Sequence, residues 1–222
     1  MKRIVLLFAG LCALCAWSCK ETAQEITLSE TQVALYVGEQ VALEANAAVD
    51  WMSDDSFYAS VNAEGEVLAR HVGTTTIVAR GADGGRATCT VTVKPYFNTF
   101  TEPCLEAFGQ SASVLKAMEE RELISETEEQ SVSRMVYQNQ EPYLSDMTYT
   151  ATQQNGVIMA TFTVEAESYD EVIAAIKERH EERWRPSRDL WEFYTRDGKI
   201  LIRCQLVDPE LETLGIVYSL IY

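Results

Sequence analysis

The sequence predicts an all-β sandwich over residues 24–95 and an α+β unit over residues 98–222, the latter built as two α-β-β-β repeats with an antiparallel sheet and helices on one face. Three observations predict this. From Glu25 onward, short runs of β-branched and apolar residues alternate with turn signals about every eight to twelve residues. Lys94-Pro95 then ends the last of these runs, because proline cannot donate within a central strand. Beyond it, apolar residues recur first at helical spacing, then as strands, then again at helical spacing.

Residues 1–18 read as an export signal. Met1-Lys2-Arg3 is a positive start, and residues 4–17 are an apolar stretch of 14 residues, too short to span a bilayer. The stretch stops at Ala16-Trp17-Ser18-Cys19, which resembles a bacterial lipobox, although Ala16 stands where the usual pattern has leucine. That resemblance implies diacylation of Cys19 and attachment to the membrane through lipid, with residues 19–23 as a tether. Lys20-Glu21-Thr22 resembles the charged tags that send lipoproteins of some Gram-negative anaerobes outward, which implies a surface-exposed outer-membrane lipoprotein. Removing residues 1–18 takes Lys2 and Arg3 with it and moves the formal charge from -16 to -18. A chain this acidic lacks the basic footprint that phosphate binding requires, so nucleic acid is excluded as a partner.

In the first unit the expected strands are 26–28, 33–36, 40–45, 49–52, 58–62, 66–69, 74–79 and 87–93. Glycine-bearing turns separate them at Gly38, Gly65 and Gly84-Gly85, and Trp51 is the large aromatic placed to fill the space between two sheets. Taken in order, Ile26-Thr27-Leu28-Ser29, Leu35-Tyr36-Val37-Gly38-Glu39, Trp51 with Ser53-Asp54, Ala59-Ser60-Val61-Asn62 and Gly73-Thr74-Thr75-Thr76-Ile77 carry a resemblance. With Ala87-Thr88-Cys89-Thr90-Val91 they are similar to the group 2 bacterial immunoglobulin-like domain. The resemblance implies an immunoglobulin-like sandwich used in surface proteins and adhesins, often as a spacer, and it transfers no catalytic residues.

In the second unit a helix from about residue 112 is expected, with Ser111 or Ser113 as N-cap, followed by strands 131–137, 143–152 and 157–165. The last two are joined through Asn155-Gly156. A helix over 168–184 follows, capped by Ser168 with Glu171 three residues on, and then strands 190–194, 199–207 and 215–221. Glu102-Pro103 followed by Phe108-Gly109 and Val114 resembles C-terminal domains of other anaerobe surface lipoproteins.

Candidate chemistry is sparse. His180-Glu181-Glu182-Arg183-Trp184 fails as a zinc helix, because Trp184 stands where a second histidine is needed. Neither a metal nor a cofactor is expected. Cys89, Cys104 and Cys204 include no C-x-x-C pair; Cys89 and Cys204 fall on apolar strand faces, and a Cys104–Cys204 bridge stays open as an alternative. The one aromatic and basic cluster contains Trp184, Arg188, Trp191 and Tyr194, which are the candidate binding residues, with core packing as the alternative role. The expected function is non-enzymatic: a lipid-anchored surface protein that binds a glycan or another surface protein, the first unit acting as spacer. The alternatives are a glycan-acting hydrolase with its site in the second unit, or a structural subunit of a surface assembly.

Overall fold

The computed structural model describes residues 24–98, 100–187, 190–208 and 213–222. Residues 1–18, the tether 19–23 and Cys19 among them lie outside the described residues.

The first unit is a sandwich of seven strands: β1 (Gln32–Tyr36), β2 (Gln40–Ala42), β3 (Val49–Ser53), β4 (Ala59–Val61), β5 (Glu66–Ala69), β6 (Gly73–Gly81) and β7 (Arg86–Lys94). One sheet runs β1-β7-β6-β3 and the other β2-β5-β4. Each strand follows an expected run. Residues 26–28 form no full strand, and Leu28 makes a single bridge to Ala45. Alternation along β7 drives the packing: Cys89, Val91 and Val93 are buried between the sheets while Thr88, Thr90 and Thr92 face out. Trp51 packs against this core from its edge. Gly65 sits beneath the indole with φ +86, where an added Cβ would lie 2.5 Å from the Leu43 carbonyl and 3.0 Å from the ring.

The second unit is mostly β. It contains α1 (Ala112–Met118), β8 (Leu123–Glu129), β9 (Val132–Tyr137), β10 (Met147–Thr152), β11 (Gly156–Val164), α2 (Tyr169–Arg179), β12 (Glu181–Ser187), β13 (Leu190–Tyr194), β14 (Ile200–Asp208) and β15 (Thr213–Leu220). The eight strands form one antiparallel sheet in the order β12-β13-β14-β15-β11-β10-β9-β8. β11 and β15 meet at its centre, with Val164 opposite Leu214 and Met159 opposite Ser219. Each half is therefore a helix followed by a four-strand meander, and the halves are arranged as mirror-ordered repeats about the central pair.

Three expectations are corrected here. The repeat is α-β-β-β-β, not α-β-β-β, because β8 and β12 were not foreseen. β8 is an outer strand with all seven residues exposed, so it needs no apolar alternation and gives no periodic signal. α2 ends at Arg179 instead of running to residue 184, and His180 leaves the helix with φ -132 and ψ 156. The helical spacing of Trp184 was coincidental, since residues 181–187 form the opposite outer strand. The capping box is also absent: Ser168 ends a 3-10 turn (Ala166–Ser168), and its hydroxyl caps nothing. Ser111 does precede α1, but its hydroxyl meets that of Ser113 at 2.8 Å rather than the helix.

Leu115 of α1 and Val172, Ile173 and Ile176 of α2 join one core with Tyr149, Phe162, Ile202, Ile216 and Tyr218 from the sheet. The helices thus share one sheet face. Residues of the other face, such as Met159, Thr161, Thr163 and Val217, stay half-exposed. All three described cysteines are free thiols, with Cys89 and Cys204 buried.

Gly65→Ala will destabilise the chain by about 2–4 kcal/mol in urea unfolding, combining left-handed strain with the clash at Leu43. Gly84→Ala, also left-handed but with nothing within 4 Å of its added Cβ, will cost only about 1–2 kcal/mol.

Candidate functional site: the cleft between the domains

The chain joining the units is held by the last turn of α2. Glu178 is buried, and its carboxylate accepts the backbone N–H groups of Tyr96 and Phe97, each at 3.0 Å. Its own carbonyl accepts the Val72 N–H of the first unit at 2.7 Å. Arg179 donates to the carbonyls of Phe97 (3.2 Å) and Ala175 (2.8 Å). A buried carboxylate is tolerated here because charge-assisted N–H donors replace its lost hydration.

His180 follows and turns into the space between the units. It is 5 % exposed, and its Nε2 lies 2.6 Å from a Glu102 carboxylate oxygen, which also accepts the Tyr218 hydroxyl at 3.0 Å. The second Glu102 oxygen lies 3.8 Å from Arg179 Nε. Burial pushes the Glu102 carboxyl up, but the hydrogen bond and charge of His180, with Arg179 and the Tyr218 hydroxyl, outweigh it and hold it below its ordinary value. Glu102 is therefore an anion in this site. The Tyr218 hydroxyl is pushed well up, first by burial and then by the Glu102 charge, so it serves as a donor.

This cluster forms one wall of a cleft of about 520 Å³ whose opposite wall is Phe57, Tyr58 and Val72 of the first unit. The β13–β14 turn closes one side: Arg196 pairs with Asp55 and lies 5.5 Å above the Tyr58 ring. A smaller recess beside it holds His71, whose ring stacks on Phe57 at 4.1 Å and whose Nδ1 meets the Phe57 carbonyl at 2.8 Å. His71 lies in the connection between β5 and β6. Its pKa is lowered, first by burial and then by Arg70, against the raising effect of the Phe57 carbonyl. Both histidines of the chain thus stand at the joint. Among the described residues no group of three or more His, Cys, Asp and Glu is placed to hold a metal.

The candidate binding residues do not converge on the cleft. Trp191 packs against the core on the helix side of the sheet. Tyr194, three positions along the same strand, faces the other side, where the Arg183 guanidinium lies 5.6 Å from its ring centre. The Trp184 backbone pairs opposite Glu192 in β12, while its side chain, and Arg188 altogether, lie outside the described residues. Sequence reasoning missed the Glu102–His180 pair because 78 residues separate its members. The Glu102-Pro103 motif was the only local signal of it.

Residues 22–94 match the bacterial Ig-like domain (group 2) family. No curated protein matches the chain. Similar solved structures include an EHEC O157:H7 intimin mutant, 14 % identical with a TM-score of 0.29, covering 60 % of this chain and 96 % of that one. A C-terminal 282-residue intimin fragment in complex with the translocated intimin receptor's intimin-binding domain is 19 % identical, with a TM-score of 0.29 and coverage of 60 % and 64 %. Domains 1–6 of surface layer protein SbsC are 13 % identical, with a TM-score of 0.28 and coverage of 62 % and 24 %.

Because the Glu102 pKa is lower folded than unfolded, its contribution is fully present above the ordinary value of 4.5 and is lost as pH falls through the folded value. Urea stability measured from about pH 6 to about pH 3 will fall toward acid, and Glu102→Gln will flatten that slope while lowering stability at about pH 6.

Proposed function

We propose that this chain, whose residues 22–94 form a group 2 bacterial Ig-like domain, is a lipid-anchored cell-surface binding protein without catalytic activity. In this reading Cys19 carries the lipid, the Ig-like domain is the spacer, and the eight-stranded domain meets a glycan or a surface protein. The observation that carries it is the fastening of Tyr96 and Phe97 by Glu178. A spacer is useful for recognition when it holds the domain it carries at a fixed angle, since ordering that domain during binding would cost affinity.

The cleft supports binding over hydrolysis. Glycoside hydrolysis uses a carboxyl that holds its proton to donate to the leaving group. Glu102, the acid set deepest in the cleft wall, is an anion engaged by His180, Tyr218 and Arg179. The location of the protein in the outer membrane, facing outward, rests on residues 1–22 of the sequence.

Cells expressing the chain and fed labelled palmitate will incorporate label into it, and Cys19→Ala will abolish that label and release the protein from the membrane fraction. Label retained in Cys19→Ala would overturn the anchoring assignment. Glu178→Ala removes the acceptor of the Tyr96 and Phe97 N–H groups; it will raise hydrogen exchange at both and widen the distribution of maximum dimension in X-ray solution scattering, at a cost of about 1–2 kcal/mol.

A further inference from the structure

The two outer edges of the sheet are the first strands of equivalent halves, yet they are finished differently. β12 carries devices that stop a sheet from growing. Its register shifts twice, between Glu182 and Trp184 and between Trp184 and Ser187, and Pro186 has no N–H to offer. Its first residue, Glu181, is set against Arg70 and His71 of the Ig-like domain.

β8 has none of these beyond one shift near its start, between Leu123 and Ser125. From Ser125 to Glu129 it runs in regular register with β9, and a two-residue turn with positive φ at both Gln130 (47°) and Ser131 (70°) pins it there. All seven residues are exposed, so the main-chain groups that point away from β9 form an open ladder. At its start stand two exposed apolar side chains, Leu123 and Ile124, the latter 52 % exposed, and Met118 at the end of α1 is exposed as well. Further along come Glu126, Glu128 and Glu129, of which Glu126 is partly held by Lys116 at 2.6 Å.

A second copy of this chain does not fit that edge. Antiparallel self-pairing about Thr127 sets Glu126 opposite Glu128 twice, and like charges directly opposite are destabilising. The formal charge of -16 on each copy adds to the repulsion. What does fit is a strand with apolar residues opposite Leu123 and Ile124 and Lys or Arg opposite the three glutamates.

We infer that β8 is a docking edge that accepts an extended segment of a partner protein, basic in one half and apolar in the other, as a ninth strand of the sheet. Main-chain hydrogen bonds supply the register and the glutamates select the basic partner. The inference deepens the surface-binding reading by naming a protein strand as the ligand, and it rests on that reading for its biological setting only; the edge can be tested without the lipid.

The test uses the full chain and a fluorescent synthetic peptide of about nine residues, with alternating Lys in one half and Val and Ile in the other. Anisotropy will show saturable binding, and amides of β8 will gain protection from hydrogen exchange. The double variant Glu126→Lys, Glu128→Lys will weaken binding at least tenfold, while Glu64→Lys, a charge reversal at an exposed turn of the first unit, will leave it unchanged. The same peptide N-methylated at alternate backbone nitrogens will not bind. Absence of binding by the unmodified peptide overturns the proposal, as does equal binding by the N-methylated one, which would reduce the contact to charge alone. Absence of palmitate label from the unaltered chain, with peptide binding intact, would sink the anchoring and leave the edge standing.

Discussion

Three consecutive residues at the end of α2 unite the molecule. Glu178 fixes the connecting chain by its two N–H groups, Arg179 holds the carbonyl of Phe97, and His180 closes onto Glu102 from the start of the second domain. The helix stops there, with His180 in an extended conformation. With the helix stopped, the next residues are free to extend as β12, and the sheet acquires its eighth strand. Joint, helix length and sheet width therefore depend on the same turn.

This turn also explains why buried charge survives at a domain boundary. An isolated carboxylate loses several kcal/mol of hydration on burial, and its retention requires that every oxygen be engaged. Glu178 meets this with main-chain donors and Glu102 with a histidine, a tyrosine hydroxyl and a nearby guanidinium. The Glu178 contacts tie the connecting chain and Val72 to the second unit, while the Glu102 network lies wholly within that unit. The Arg196 guanidinium, set against Asp55 and the Tyr58 ring, adds a second point of contact on the cleft's far side, so that rotation about the connecting chain is opposed at two places.

The paired halves of the second domain show how one plan is adapted to two surroundings. Both begin with a helix and continue as a four-strand meander, and they meet through β11 and β15. One outer strand lies against the Ig-like domain and is interrupted; the other, fully exposed, is regular and acidic. The difference lies in side chains, not topology.

By itself the sequence determined whatever rests on local period and turn chemistry. It placed all seven strands of the sandwich, Trp51 against its core and Gly65 in a reversal, because strand alternation and left-handed turns are properties of neighbouring residues. It likewise located both helix starts. Only the tertiary structure decided the rest. β8 gave no signal because an exposed edge imposes no alternation, and the end of α2 was misjudged because residues 181–187 pair with β13 instead of continuing the helix. Trp191 and Tyr194 looked like one aromatic cluster along the chain, but a strand sends residues three apart to opposite faces. The cleft, built from residues 57–58, 72, 102, 179–180 and 196, exists only where the two units meet, and no local pattern in the chain encodes that meeting.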